Sequence, residues 1–459
     1  MRRWQHIIAS CLALCAGVAT VYAHAGMFEY LSWDDFYDIR DNPVVIGGSM
    51  ADALHTVSYG NFAPAATVSF QIERGIFGAN PGEEHVANVL LHLLNTLLVF
   101  FLLLKLTGNP WAALAAAMLF AVHPRSVEAV AWLSARKHLL AGTGIFGGLL
   151  AYLQLQTTKE IRWYGMLIPC FALAVLSTPI GALLPFAALA IRYFHLRKKG
   201  MPWELLPLLP LSIAGAGIAA AVGAPTAMSW GIRALFGIKS IAAHFWAFFI
   251  PVPLSVLHTD SAMTFVMASE ILALAMIVAA AWILRRSRPA LIGGLTIFAI
   301  VLLPTLFVIQ KKSGLMLYQD RYLYIAMIGL LWMIADGLAD VFEGVSLMSP
   351  LTMRMTMIMI IVVIMIFGFL ASERTRIWAN NMIFYTTEVT IHPDNPYLHL
   401  GLGYAMEEES GNLRGAMEEY LGVVNAHPEM NLARRFLESA EKRMLDAGKL
   451  SIPSPAPLR

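Results

Sequence analysis

Charge and cysteine are both scarce in this chain. Only 14% of its 459 residues are charged, whereas 58% are hydrophobic. No single soluble core can enclose that much apolar surface, so the composition excludes an ordinary water-soluble protein and indicates a membrane protein. The cysteines Cys11, Cys15 and Cys170 all lie in apolar runs. This placement excludes a disulfide framework or a cysteine-rich zinc site in a domain outside the membrane.

Long apolar runs predict the fold class, an all-α, polytopic helical membrane protein with about eleven transmembrane helices. Three of the runs are shorter than the roughly 17–25 residues of a spanning helix, so we expect these to line a thinned region or a water-filled cavity. The runs are 8–24, 86–104, 110–122, 138–156, 163–177, 180–195, 204–222, 264–284, 290–309, 321–340 and 351–371.

Basic residues in alternate short loops predict the orientation. Because loops rich in Lys and Arg stay inside, the N terminus is expected in the cytoplasm of a bacterial cell, with the chain in the inner membrane. The first run also has the pattern of a cleavable secretory signal, and either outcome leaves the next loop outside. The predicted outer, periplasmic segments are 25–84, 123–137, 223–263, 310–320 and everything after 371.

Two adjacent carboxylates, Asp34 and Asp35, follow the first predicted span. A hydroxyl that attacks the anomeric carbon of a phospho-sugar needs a base to take its proton, and one aspartate is sufficient because phosphate leaves without strong acid help. An acidic pair also suits a divalent metal or the cap of a helix. Spacing alone leaves these three interpretations open.

Several basic residues on the predicted outer face depart from the orientation rule and need an anionic partner. A lipid-linked phosphate would supply one, since Arg offers paired donors and either cation interacts more strongly in a poorly hydrated cleft. Lipid headgroups or nearby acids are the alternative. The residues are Arg136, Lys137, Lys311, Lys312 and Arg321.

A polar stripe runs along the second predicted span. His85, Asn88, His92 and Asn95 recur at spacings of three, four and three, which places them on one helix face. Four polar groups cannot face lipid, so the stripe must face protein or a cavity. For His92 and Asn95 the simpler interpretation is hydrogen bonding between helices. The other two are the better candidates for substrate contact.

The composition changes after the last predicted span. Residues 372–447 are polar with a helical pattern, and 448–459 are rich in proline. His-Pro pairs at His392 and His427 recur 35 positions apart, close to the tetratricopeptide period of about 34. About two repeats fit, fewer than the three normally needed, so we expect this domain to dock on another surface. It suits either presentation of an acceptor polypeptide or a stabilising cap.

Separated segments of the chain together resemble one family, the bacterial relatives of the transmembrane and tetratricopeptide-repeat-containing O-mannosyltransferases. The resemblance implies a GT-C fold for a membrane domain of residues 1–371, in which 25–84 is the first outer loop and 223–263 forms interfacial helices. It also implies inverting transfer of a sugar from a polyprenyl-phosphate carrier. The segments are 33–35, 42–44, 61–64, 76–81, 85–96, 119–132, 134–137 and 320–324.

The same resemblance implies roles for individual residues. Asp35 is the expected general base, and Asp34 would orient or bind the substrate. Glu128 suits sugar hydroxyls, or alternatively an ion pair with Arg136. The expected ligands of the donor phosphate, which would stabilise charge on the leaving group, are Arg136, Lys137, Arg321, Lys311 and Lys312. The expected substrate-binding residues are His85, Asn88, His123, Glu128 and Tyr322.

The predicted function is transfer of a sugar to a hydroxyl of an outer-face protein or glycan, most simply in protein O-glycosylation. This chemistry requires no cofactor, although a divalent metal is compatible with it. The expected partners are the lipid-linked sugar, the acceptor and membrane lipids, without nucleic acid. One alternative is an oligosaccharyltransferase or ligase with a diphosphate-linked donor. Another is a non-catalytic scaffold that recruits partners through its tail, against which the retention of both Asp34 and Asp35 argues.

Overall fold

The structure, a computed structural model, describes residues 2–57, 62–222, 230–259, 265–304, 316–343 and 349–446. Within these ranges the chain is mainly helical, and the short strands β1 (His258–Thr259) and β2 (Met316–Tyr318) pair antiparallel. The α-helices are α1 (Arg2–Tyr22), α2 (Pro43–Gly47), α3 (Met50–Ala53), α4 (Pro64–Phe77), α5 (Pro81–Thr107), α6 (Pro110–Ala121), α7 (Val127–Ala131), α8 (Arg136–Thr158), α9 (Ile161–Ser177), α10 (Leu184–Phe194), α11 (Leu209–Val222), α12 (Trp230–Phe249), α13 (Phe265–Ile283), α14 (Pro289–Leu302), α15 (Asp320–Glu343), α16 (Pro350–Arg376), α17 (Asn381–Ile391), α18 (Pro396–Glu408), α19 (Leu413–Ala426) and α20 (Asn431–Asp446).

Asn-Pro pairs begin several of these helices. Asn80 accepts hydrogen bonds from the backbone of the first turn of α5, and Asn109 and Asn395 do the same for α6 and α18. The following proline has no N–H to satisfy and its fixed φ suits the first helical position. Gly108 then ends α5 with φ of 73°, a left-handed conformation that glycine adopts without strain.

The structure confirms a polytopic helical membrane protein but not the predicted number of spans. Each predicted run contains a helix, yet five helices in the described ranges are long and apolar enough to cross a membrane, or six if a pair bent by 53° forms one span. Several other apolar helices have only 10–17 residues. The five spans are Trp4–Met27, Pro81–Thr107, Leu133–Thr158, Asp320–Glu343 and Leu351–Arg376, and the bent pair is Pro110–Ala121 with Pro124–Ala131.

The chain forms two compact units. The first consists of Met1–Met27 and Tyr37–Arg376, and the second combines Phe28–Phe36 with the chain from Ile377 onward. A short piece of the first predicted outer loop therefore folds with the C-terminal helices.

Close helix packing holds the first unit together. The helices α14 and α15 cross at Gly294 and Gly329, where a Cβ on either residue would overlap the backbone carbonyl of the other. Such small residues let helices approach closely in a membrane, where the hydrophobic effect does not drive them together. Trp332 and Tyr324 on α15 are almost fully buried in the same unit.

The second unit is a small helical array. Its helices α17 to α20 each pack on the next, around a core that includes Ala416, Tyr420 and Ala433. Partial burial alone would lower the pKa of His399, but its bonds to Glu419 and to a backbone carbonyl, with nearby negative charge, raise that pKa above its usual value. Sequential packing of this kind is typical of tetratricopeptide-like repeats.

Candidate active site

In the first unit, the chain bends sharply between α6 and α7. His123 caps the turn, because its Nδ1 accepts from the N–H of Arg125 at 3.1 Å and its Nε2 lies 3.0 Å from the carbonyl oxygen of Phe248. Every residue from 121 to 136 is buried. The segment 123–137, predicted to be an outer loop, is thus almost wholly internal, and both ring nitrogens of His123 contact protein groups.

Two buried ion pairs join this bent segment to the start of α15. Arg125 donates from Nη1 to Oδ1 of Asp320 at 2.7 Å, and Glu128 pairs with the neighbouring Arg321. The side chains of Arg125, Asp320 and Glu128 are at most 2% exposed, whereas that of Arg321 is 14% exposed. Arg321 is therefore the guanidinium of these two pairs that can reach an incoming anion.

Further groups surround the Asp320 carboxylate. The Nε2 of His258 lies 3.1 Å from its Oδ1, and the His258 ring stacks on Tyr318 with centroids 4.0 Å apart. Arg125 also donates to the carbonyl of Pro253 at 3.0 Å. The sequence patterns did not single out Arg125, Asp320 or His258. The first two lie in segments that carry the family resemblance, but no local signal connects His258 with them.

Aromatic rings flank Arg321. Its guanidinium lies 4.9 Å from the ring centroid of Trp132 and 5.3 Å from that of Tyr322. Tyr322 in turn meets the edge of His138, with centroids 5.5 Å apart. Rings around a guanidinium limit its motion and stabilise its charge. The predicted substrate residue Tyr322 thus contacts the predicted phosphate ligand Arg321.

Arg136 is fully buried and joins α8 to α4 and α5. It donates to Oδ1 of Asn88 at 2.6 Å and to the carbonyl of Glu84 at 2.7 Å, and Nη1 lies 2.7 Å from Oε2 of Glu73. Burial raises the pKa of Glu73, against the lowering effect of the Arg136 charge. In this conformation a phosphate would have to displace Glu73 to reach Arg136, and Glu128 pairs with Arg321 instead of Arg136.

The polar stripe of α5 faces protein, as its spacing predicts. His85, Asn88, His92 and Asn95 are each at most 1% exposed. His92 Nδ1 lies 2.9 Å from the hydroxyl of Tyr324, which also accepts from Nδ2 of Asn95 at 3.1 Å. The deeper pair therefore bonds α5 to α15, while Asn88 supports Arg136.

Lys137 differs from its neighbour Arg136 because it is only half-buried. It lines a small cavity together with Asp38, Asn42 and Ser134, with a volume of about 30 Å³. That volume is enough for about one water molecule, so this cavity is a polar pocket beside the predicted phosphate ligands. Lys311 and Lys312 lie outside the described residues.

The acidic pair belongs to the second unit. Asp35 is fully buried, and its Oδ2 accepts from the N–H of Leu31 at 3.1 Å, while its own N–H donates to the Leu31 carbonyl at 3.1 Å. Asp34 is half-buried. Asp34 is therefore the more accessible carboxylate, and Asp35 closes the turn that carries both.

Hydrogen bonds attach the segment of the acidic pair to α17. Ser32 donates its N–H to Oδ1 of Asn381 at 2.6 Å, and its hydroxyl lies 3.0 Å from that of Tyr385. Asn381 also donates to Glu409 at 2.7 Å and to the carbonyl of Tyr30 at 3.4 Å. The C-terminal helices thus fix the conformation of the segment that carries the acidic pair.

These features define a polytopic helical membrane protein with buried ion pairs and a small helical tail. Part of the chain is similar to protein O-mannosyl-transferases, which confirms the resemblance inferred from the sequence. It is 37% identical to Tmtc1 of Drosophila melanogaster over 118 residues, 26% of this chain and 13% of that protein. It is 32% identical to TMTC1 of Mus musculus over 181 residues, 36% of this chain and 18% of that protein.

The matched region thus spans less than a fifth of the length of these relatives. No family model matches the chain. Among solved structures, the chain is similar to the oligosaccharyltransferase AglB of Archaeoglobus fulgidus in complex with an inhibitory peptide and a dolichol-phosphate. That similarity has a TM-score of 0.48 at 15% identity and covers 86% of this chain and 59% of AglB.

Proposed function

We propose that this protein is a membrane glycosyltransferase of the GT-C type that moves a sugar from a polyprenyl-phosphate-linked donor to a hydroxyl of a protein acceptor. The observation that carries the proposal is the paired arrangement of Arg125 with Asp320 and Glu128 with Arg321, which presents one partly exposed guanidinium in a membrane protein. The similarity to protein O-mannosyl-transferases supports the reaction class.

In the proposed reaction, a carboxylate takes the proton of the acceptor hydroxyl, and the oxygen of that hydroxyl attacks the anomeric carbon. The bond from that carbon to the phosphate oxygen breaks, and polyprenyl phosphate leaves with an additional negative charge. Arg321 stabilises this charge, with Lys137 as a second cation. Glu128 holds Arg321 in position, and Arg136 positions α8 against α5. The further residues His85, Tyr322, Lys311 and Lys312 keep the roles expected from the sequence. The expected role of His123 changes from substrate contact to support of the turn, because both its ring nitrogens contact protein groups.

The acidic pair supplies the base. The family resemblance favours Asp35, whereas accessibility favours Asp34, because Asp35 is buried and bonded within its own turn. Replacing each by Asn separates these assignments. The base variant is expected to lose transfer over the whole pH range, whereas the other variant changes the Michaelis constant or the stability. If both Asn variants keep the kcat of the wild type, neither aspartate is the base.

We further propose that the chain lies in a bacterial inner membrane with its N terminus in the cytoplasm and its helical tail in the periplasm. The alternation of basic loops supports this orientation. Cysteine substitutions at the exposed positions Lys105 and Glu418 test it, since an impermeant thiol reagent applied to intact cells should label only the latter. Labelling of position 105 and not of position 418 would show that the chain has the opposite orientation.

Donor binding provides the main test of the function. Arg321→Gln in the purified chain is expected to reduce transfer from a polyprenyl-phosphate sugar by about 10²–10³-fold, as loss of one charge-stabilising donor does. Arg321→Lys should retain part of the activity. The control is Arg376→Gln, because that side chain is 59% exposed and pairs with Glu373 on its own helix. Equal transfer by the Gln variant and the control would overturn the role of Arg321.

A further inference from the structure

A second polar cavity lies at the far end of α8 from Arg136. Its volume is about 540 Å³, and charged residues of both signs line it, namely Lys159, Arg192, Lys198 and Glu204. The helix has 23 residues, and at 1.5 Å per residue its ends are about 35 Å apart. This cavity is therefore separate from the candidate active site of the first unit.

The cavity carries an excess of positive charge. Three cations face one carboxylate, and that carboxylate already accepts from Arg192 at 2.8 Å and from the side chain of Gln156 at 2.8 Å. Lys198 donates to Oε1 of Gln156 at 2.7 Å, which is a neutral partner. Within the described part of the chain, neither Lys159 nor Lys198 forms an ion pair.

The two lysines are held close to each other. Burial and the adjacent Lys159 ammonium lower the pKa of Lys198. Lys159 ends α8 with φ of 62°, at a position where glycine is the usual residue. Arg192 is only 8% exposed, and its Nε has no hydrogen-bond partner among the described residues. Crowded cations with an unused donor make a site for an anion.

Apolar side chains form the rim of the cavity. Ile161, Met201 and Trp203 line it and are 79%, 56% and 71% exposed. A basic pocket beside apolar and aromatic side chains matches an anionic phospholipid, whose phosphate meets the cations while its acyl chains meet the rim. Free phosphate would leave this rim exposed to water, so the rim favours the lipid.

We propose that this cavity binds the headgroup phosphate of an anionic phospholipid, with Lys159, Arg192 and Lys198 as its ligands. Glu204 fixes Arg192 in position through their ion pair. The site is independent of the proposed sugar transfer, because its residues lie at the other end of α8 from the predicted phosphate ligands.

Retention of phosphatidylglycerol by the purified full chain tests this proposal. The chain is reconstituted in phosphatidylcholine nanodiscs with a minor fraction of phosphatidylglycerol, released into detergent, and analysed by native mass spectrometry. Lys159→Gln and Lys198→Gln are each expected to lower retention about fivefold, and the double variant by the product of the two. The variant with both Lys159→Arg and Lys198→Arg should retain the lipid, because it keeps both positive charges. The control Lys199→Gln should also retain it, since Lys199 is exposed and does not line the cavity.

Equal retention by the wild type and the double Gln variant would overturn the proposal. Added inorganic phosphate tests whether the site takes a phospholipid or free phosphate. We expect added phosphate not to displace the bound lipid. Displacement at matched concentration would assign the site to free phosphate instead. If the double variant does not fold, the two single variants provide the same comparison.

Discussion

Replacing Asn381 by Ala should release the segment that carries the acidic pair. The side chain is only 4% exposed, accepts from the N–H of Ser32 at 2.6 Å and donates to the carbonyl of Tyr30 at 3.4 Å. Loss of the buried acceptor of Ser32 costs about 1–3 kcal/mol, and loss of the neutral bond to Tyr30 costs about 0.5–1.5 kcal/mol. We therefore expect the segment to be weakened by about 2 kcal/mol, which raises its open population about 30-fold.

Hydrogen exchange of the amides in residues 28–36 measures that population. Their exchange should accelerate by about 30-fold, and kcat should fall while the Michaelis constant for the donor stays unchanged, because the proposed phosphate ligands belong to the other unit. Asn380→Ala is the matched control, since Asn380 caps α17 through the N–H of Ile383. Unchanged exchange in Asn381→Ala, or equal acceleration in Asn380→Ala, would refute this reasoning.

Three further predictions concern stability. Asp320→Asn leaves Arg125 buried without its carboxylate and should lower the free energy of unfolding, measured by thermal unfolding, by about 3–5 kcal/mol. Replacing both Arg125 and Asp320 by Leu should regain most of that loss. Gly329→Val should lower the melting temperature because its Cβ overlaps α14. Gly337→Val should not, since no atom of the described residues outside its own helix turn lies within 4 Å of a Cβ there. The raised pKa of His399 means that its stabilising contribution is full below about pH 6.5 and is lost as the pH rises through the folded-state value. Exchange protection of α18, corrected for intrinsic rates, should therefore fall as the pH rises above about 6.5 in the wild type and not in His399→Gln. An equal fall in both would contradict this.

Local patterns predicted much of the fold. Apolar runs placed a helix at each expected position, and the spacing of His92 and Asn95 correctly predicted a stripe that faces protein. The runs did not predict which helices are long enough to span the membrane. Pro124 follows a bend that makes one apolar run part of a broken, buried segment, and hydropathy alone does not report such a bend.

Long-range contacts were beyond the sequence patterns. Ser32 and Asn381 are 349 positions apart, and neither residue type signals a partner at that distance. The sequence marks Asp320 only as part of a segment, because its significance comes from the burial of Arg125 and His258 around it. Charge and periodicity identify which residues are unusual in a membrane, whereas the partners depend on how the helices pack.

Sugar transfer by the purified chain is the most direct test of the proposed function. The wild type in nanodiscs is supplied with a polyprenyl-phosphate-linked hexose and envelope protein acceptors. The masses of the acceptors are then measured by mass spectrometry. We predict a hexose mass shift that is lost in the Asp34→Asn, Asp35→Asn double variant, although that variant still binds the donor. An equal mass shift with the double variant would contradict the proposal that these carboxylates drive the transfer.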